Sequence, residues 1–163
     1  LAAVFNENRI RLDFWPGAAT SRWQNLKGTR MRPAIVAFIS SLVVMGVLDG
    51  TWISLALGRI YKPGIGHLMA DKIVAPAALA FYLLYAAGIT YVVTLPALAA
   101  GSFGDAVSRG AVLGLIAYGT YDLTSLAIMQ GWPAYVTIAD MIWGTILTAV
   151  TCGAAFLVTQ RLG

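Results

Sequence analysis

Four stretches of this chain keep apolar side chains on every helical face, and polar residues collect between them. They run from about residue 33 to 57, 74 to 95, 106 to 129 and 134 to 159. About 20 apolar residues at helical rise cross roughly 30 Å of hydrocarbon, so each run is long enough to span a bilayer. A helix at the surface of a soluble domain would confine its apolar residues to one stripe, and these do not. The connections are short: Gly58 to Lys72, the region around Pro96 to Asp105, and Gln130 to Pro133. Short links favour neighbours of opposite direction. The pattern therefore predicts an all-α integral membrane protein, an up-down-up-down bundle of four transmembrane helices. Pro33, Pro63, Pro96 and Pro133 are expected at helix starts or in links, and Pro76 in a first turn, where a missing N–H costs little. Trp132, in the last link, reads as an anchor at headgroup level.

Composition agrees. The chain is 59% apolar and 11% charged, with eleven Lys/Arg and seven Asp/Glu among 163 residues. Those charges are too few to cover a soluble globule, and the hydrophobicity excludes a disordered chain. The net charge of +4 is too sparse for nucleic acid and reads as topology charge at membrane edges. The partner to expect is the lipid bilayer. A single cysteine, Cys152, cannot form an internal disulfide, and one histidine without a cysteine cluster argues against structural zinc. The sequence assigns no cofactor.

Residues 1–30 are different in kind. They carry Arg9, Arg11, Arg22, Lys27 and Arg30 with Phe5, Phe14, Trp15 and Trp23, and no long apolar run. Met31-Arg32-Pro33 resembles an ordinary start to a membrane helix, so one expectation is an upstream extension foreign to the domain. The other is a basic tail whose aromatic rings dip into headgroups. Counting the tail, the side holding both termini also has Arg32, Arg109 and Arg161, against Arg59, Lys62 and Lys72 opposite. The positive-inside bias then puts the termini in the cytoplasm, with the protein in the inner membrane. Counted from Met31, the two sides balance.

Three aspartates stand inside the apolar runs: Asp49, Asp122 and Asp140. Each costs about 2.5–3.5 kcal/mol near a helix centre, and such carboxylates usually face the bundle interior. With alternating helix directions, they lie roughly 12, 10 and 9 Å from the face carrying the first and third links. They should therefore share one layer, with no Lys or Arg beside them. Two negative charges about 5 Å apart at an effective dielectric of 20 repel by about 3 kcal/mol. At least one should hold a proton, or the group should bind a cation.

Leu48-Asp49-Gly50-Thr51-Trp52 and Ala139-Asp140-Met141-Ile142-Trp143 both read Asp-x-x-Trp, which puts carboxylate and indole on one helical face. Tyr118 shares the Asp122 face, and Tyr82 and Tyr85 enter at a compatible level. The expected site is a polar, aromatic-walled pocket built from Asp49, Asp122, Asp140, Tyr118, Trp52, Trp143 and Tyr85. The competing reading is that these polar groups only fix helix register. His67 and Asp71, four apart, would share a face if helical, as an acid/base pair or as metal ligands with Asp49 or Asp122. No nucleophile elbow, phosphate loop, haem motif or iron–sulfur spacing accompanies them. Gly46/Gly50 and Gly110/Gly114 each allow close helix approach, within the chain or at a homo-oligomer seam.

Taken in order, Leu48 to Trp52, Tyr61-Lys62, Gly66 to Lys72, Phe81 to Tyr85, Ala117 to Thr124 and Asp140 to Thr145 form one pattern. It resembles the small bacterial predicted inner-membrane proteins grouped as the domain-of-unknown-function 2177 family. The likeness covers Met31 to the C-terminus. It implies a four-helix membrane protein and supplies no reaction. Three functional readings follow from the residues: a carrier or accessory subunit binding a proton, cation or small substrate; a membrane-embedded lipid-modifying enzyme; and a non-catalytic assembly subunit.

Overall fold

A computed structural model describes Met31–Gly163, so segment 1–30 and both expectations attached to it lie outside the described residues. Among the described residues all regular structure is helical. Four helices are long and apolar enough to cross a membrane: α1 Met31–Leu68, α2 Ala75–Ala100, α3 Phe103–Ile128 and α4 Ala134–Leu162. Their outer surface is apolar, with Ile35, Val43, Leu84, Ile116 and Ile142 all exposed. Outward hydroxyls bond within their own helix. Thr51, Ser54 and Thr120 each donate to the carbonyl four residues earlier at 2.7 Å, as a surface bathed in lipid requires.

Two helices run further than their apolar runs suggest, and both do so through a π-turn. α1 continues past Ala56 through a π-turn at Leu57–Tyr61, an α-turn at Lys62–Ile65 and a 3₁₀ turn at Gly66–Leu68. α2 crosses Pro96. The donor that Pro96 lacks is absorbed just upstream by a π-turn at Ile89–Thr94, whose closing bond runs from the Leu95 N–H to the Thr90 carbonyl. α2 then ends at Gly101, which takes the left-handed conformation (φ +66°). Only Gly101 and Ser102 separate α2 from α3. Ser102 Oγ accepts from the Asp105 N–H, and Asp105 pairs with Arg109 at 3.2 Å.

α4 is the packing spine. Its buried residues, among them Val136, Gly144, Leu147, Thr148, Thr151, Cys152 and Ala155, recur at helical spacing. Gly110 lies against Cys152 and Thr148, and Gly114 against Gly144 and Thr148, so a methyl group at either would overlap α4. The Gly110/Gly114 pair thus serves packing inside the chain, whereas Gly46 and Gly50 face open space. Two contacts fix α1 against α4: Pro33 lies beside Gly163, and Asp49 meets Trp143 further along. One turn from Asp49, Met45 begins a buried apolar cluster with Ala86, Ile89, Val93, Leu147 and Cys152. Polar and aromatic side chains therefore concentrate towards the other end of α1, where it passes into its π-turn.

Candidate functional site

Where α1 meets α4, the two Asp-x-x-Trp motifs face one another and exchange partners. Trp143 Nε1 donates to Asp49 Oδ1 at 3.2 Å, and the Tyr82 hydroxyl from α2 donates to Asp49 Oδ2 at 2.5 Å. Trp52 Nε1 donates to the Tyr61 oxygen at 2.8 Å, and Tyr61 in turn donates to Asp140 Oδ1. The Trp52 and Trp143 rings stack between these bonds, centroids 4.6 Å apart and planes 7° from parallel. Tyr61 takes part because of the π-turn. Nine residues of uninterrupted α-helix would carry it about 180° around the axis from Trp52, and the wider turn rotates it back towards the same side.

Two cavities meet at Asp140. One, of about 300 Å³, is lined by Asp49, Trp52, Tyr61, Tyr118, Asp140 and Trp143, with Ile53, Leu57, Ile65 and Met69 completing its wall. The second, of about 330 Å³, lies between α2 and α3 and is lined by Phe81, Tyr85, Ala117, Tyr118, Tyr121 and Asp140. Tyr118 and Asp140 border both. Tyr118 reaches this position by lying flat on Gly144, where any side chain would collide with its ring. Tyr85 is fixed by a 2.8 Å bond between its hydroxyl and that of Thr148, and Phe81 stacks on it at 5.5 Å. Neither cavity has a basic lining residue. Both oxygens of Asp49 already accept hydrogen bonds, whereas Tyr61 engages Asp140 through Oδ1. Asp140 is thus the acid with an oxygen to spare, in the position that borders both spaces.

Of the residues singled out from the sequence, Asp49, Asp140, Trp52, Trp143, Tyr118 and Tyr85 come together around these cavities. Asp122 lines neither. It is fully buried on α3, level with Thr137 of α4, whose hydroxyl points at the Asp122 main-chain oxygen at 3.4 Å. Neither Asp122 carboxyl oxygen has a hydrogen-bond partner among the described residues. His67 also lines neither cavity; its ring rests against Gly131 in the last link. The helix ends at Leu68, and Met69 is extended, so Asp71 does not share a helical face with His67. Among the described residues no three His, Cys, Asp or Glu side chains gather closely enough to hold a metal ion. Trp132 is buried rather than outward-facing: Nε1 donates to Thr137 at 2.9 Å and its ring meets Tyr121 edge-on. Tyr61, Phe81 and Tyr121 are site residues that spacing alone did not single out. The π-turn that brings Tyr61 in has no signature in the apolar periodicity.

The fold and this arrangement define a class: a multi-pass helical membrane protein with two interior carboxylates set among aromatic rings. The chain belongs to the family described as predicted membrane protein (DUF2177), whose model matches residues 34–157. That stretch contains both Asp-x-x-Trp motifs, Tyr61 and every residue lining the second cavity. No curated protein and no solved structure matches the chain.

Proposed function

We propose that the cavity shared by Asp49 and Asp140 is a cation site within the membrane, taking a proton or a small cationic solute, and that the protein is an ion-coupled carrier or an accessory subunit of one. The observation that carries this reading is that two carboxylates line one cavity of about 300 Å³ with no basic side chain in its wall. Two unpaired negative charges in such surroundings are costly, and a proton or cation removes the cost. Asp140 is the ligating acid. Asp49, held by Tyr82 and Trp143, contributes charge and fixes the frame. Asp122 has no part in this site.

The spans cross in alternating directions, with the cavity nearer the side of the first and third links. The basic residues of segment 1–30 support a cytoplasmic location for the other side, in an inner membrane. Four helices are few for a carrier, which favours a homo-oligomer. The test is purified protein in liposomes under an imposed proton or sodium gradient, followed with an internal dye. Wild-type protein dissipates the gradient, and Asp140→Asn and Asp49→Asn do not. Identical traces from all three proteins would remove the reading.

A further inference from the structure

The geometry points to an organic ammonium ion as the ligand: its cationic head at Asp140 and its apolar body in the aromatic cavity between α2 and α3. This rests on the cation site proposed above and names its substrate class. Divalent metal ions gain little from the surroundings here. They call for several oxygen ligands in a tight cage, and no group of three acidic, histidine or cysteine side chains closes around a common point among the described residues. Beside the two acids, Trp52, Tyr61, Tyr118 and Trp143 make the aromatic part of the first cavity's wall. Trp52 and Trp143 present a stacked indole pair beside the carboxylates, and Tyr118 stands between the two cavities. A carboxylate set among aromatic rings is the chemistry that recognises alkylammonium ions, through charge pairing and attraction to the ring quadrupole.

The second cavity supplies the other half of the argument. It touches the first at Asp140 and Tyr118, and its remaining lining, Phe81, Tyr85, Ala117 and Tyr121, carries no charge. At about 330 Å³ it falls at the lower end of small-molecule sites, enough for one aromatic ring or a short alkyl body. Phe81 and Tyr121 are 44% and 57% exposed on the outer surface of α2 and α3, so the cavity opens sideways into the hydrocarbon region. An amphiphilic amine dissolved in the bilayer could enter there body last, its charge drawn to the free oxygen of Asp140.

The experiment is calorimetric titration of purified protein in detergent with four probes: benzyltrimethylammonium, its neutral carbon isostere neopentylbenzene, tetramethylammonium and sodium. Benzyltrimethylammonium should bind saturably and neopentylbenzene at least about tenfold more weakly, the difference being the charge. Asp140→Asn, which keeps an acceptor for Tyr61, should weaken benzyltrimethylammonium by about tenfold or more. Phe81→Leu combined with Tyr121→Leu alters the wall of the second cavity and no lining residue of the first. It should weaken benzyltrimethylammonium while leaving tetramethylammonium unchanged. An unfolding midpoint for each variant shows that lost binding is not lost structure. Equal binding of benzyltrimethylammonium and neopentylbenzene would overturn the inference, leaving only an apolar groove. Sodium binding, or sodium or proton flux in liposomes, without binding of either ammonium ion would overturn it while the cation site stands. Failure of all four probes together with absent flux would remove both.

Discussion

Trp143 donates its indole N–H to Asp49 on the neighbouring helix, although Asp140 lies three residues before it in its own motif. The exchange is reciprocal. Trp52, the motif partner of Asp49, donates to Tyr61, and Tyr61 donates to Asp140. Each Asp-x-x-Trp motif therefore serves the carboxylate of the other helix, one directly and one through a tyrosine. A pattern that reads as a local helical face works as a clamp between α1 and α4.

Removing one donor from that clamp should be measurable. Trp143→Phe keeps a ring to stack on Trp52 but leaves Asp49 Oδ1 without its donor. Leaving a buried acceptor unmet costs about 1–3 kcal/mol. Reversible unfolding in mixed micelles should show a loss of that size, and Tyr82→Phe a similar one at Asp49 Oδ2. Unchanged stability in both variants would mean that Asp49 is not held in this way.

Asp49 and Asp122 should respond in opposite directions to replacement by leucine. Asp49→Leu strands two donors, the Tyr82 hydroxyl and the Trp143 N–H, inside the bundle. Asp122→Leu strands none, because no donor reaches its carboxyl oxygens among the described residues, and it exchanges a buried acid for a branched hydrocarbon of the same shape. The same unfolding assay should find Asp49→Leu destabilised by about 2 kcal/mol or more and Asp122→Leu at least as stable as wild type. A collapse of Asp122→Leu alone would give Asp122 a structural role that its surroundings do not explain.

The two glycine pairs should separate equally clearly. Gly114→Ala pushes a methyl group into Gly144 and Thr148 of α4, and Gly144→Ala pushes one into the Tyr118 ring. Overpacking of this kind costs about 1–3 kcal/mol. Gly46→Ala meets nothing within 4 Å and gains up to about 1 kcal/mol of helix propensity. Thermal unfolding should rank Gly46→Ala at or above wild type and the other two below it.

These contrasts mark where the sequence was legible and where it was not. The four spans could be read from apolar runs because lipid imposes that composition on any helix it surrounds. Their ends could not. Pro96 and the polar stretch after Ala56 look like breaks, and a π-turn lets each helix continue. The faces of Asp49 and Trp52, and of Asp140 and Trp143, follow from three-residue spacing. Depth was a coarser guide for Asp122. Its main chain lies level with Thr137, almost one turn nearer the start of α4 than Asp140, and its buried side chain lines neither cavity. Axial rise alone carries no information about rotation around a helix. Tyr61 illustrates the same point, since an uninterrupted helix would have turned it away from Trp52.

Infrared difference spectroscopy on cation addition reads the carboxyl groups themselves and so bears most directly on the assignment of the site. Titrating benzyltrimethylammonium into reconstituted protein should change the carboxyl and carboxylate stretching bands. The change should be absent from Asp140→Asn and fully present in Asp122→Asn. A band change that survives in Asp140→Asn and disappears in Asp122→Asn would contradict the account and move the site to the interface of α3 and α4.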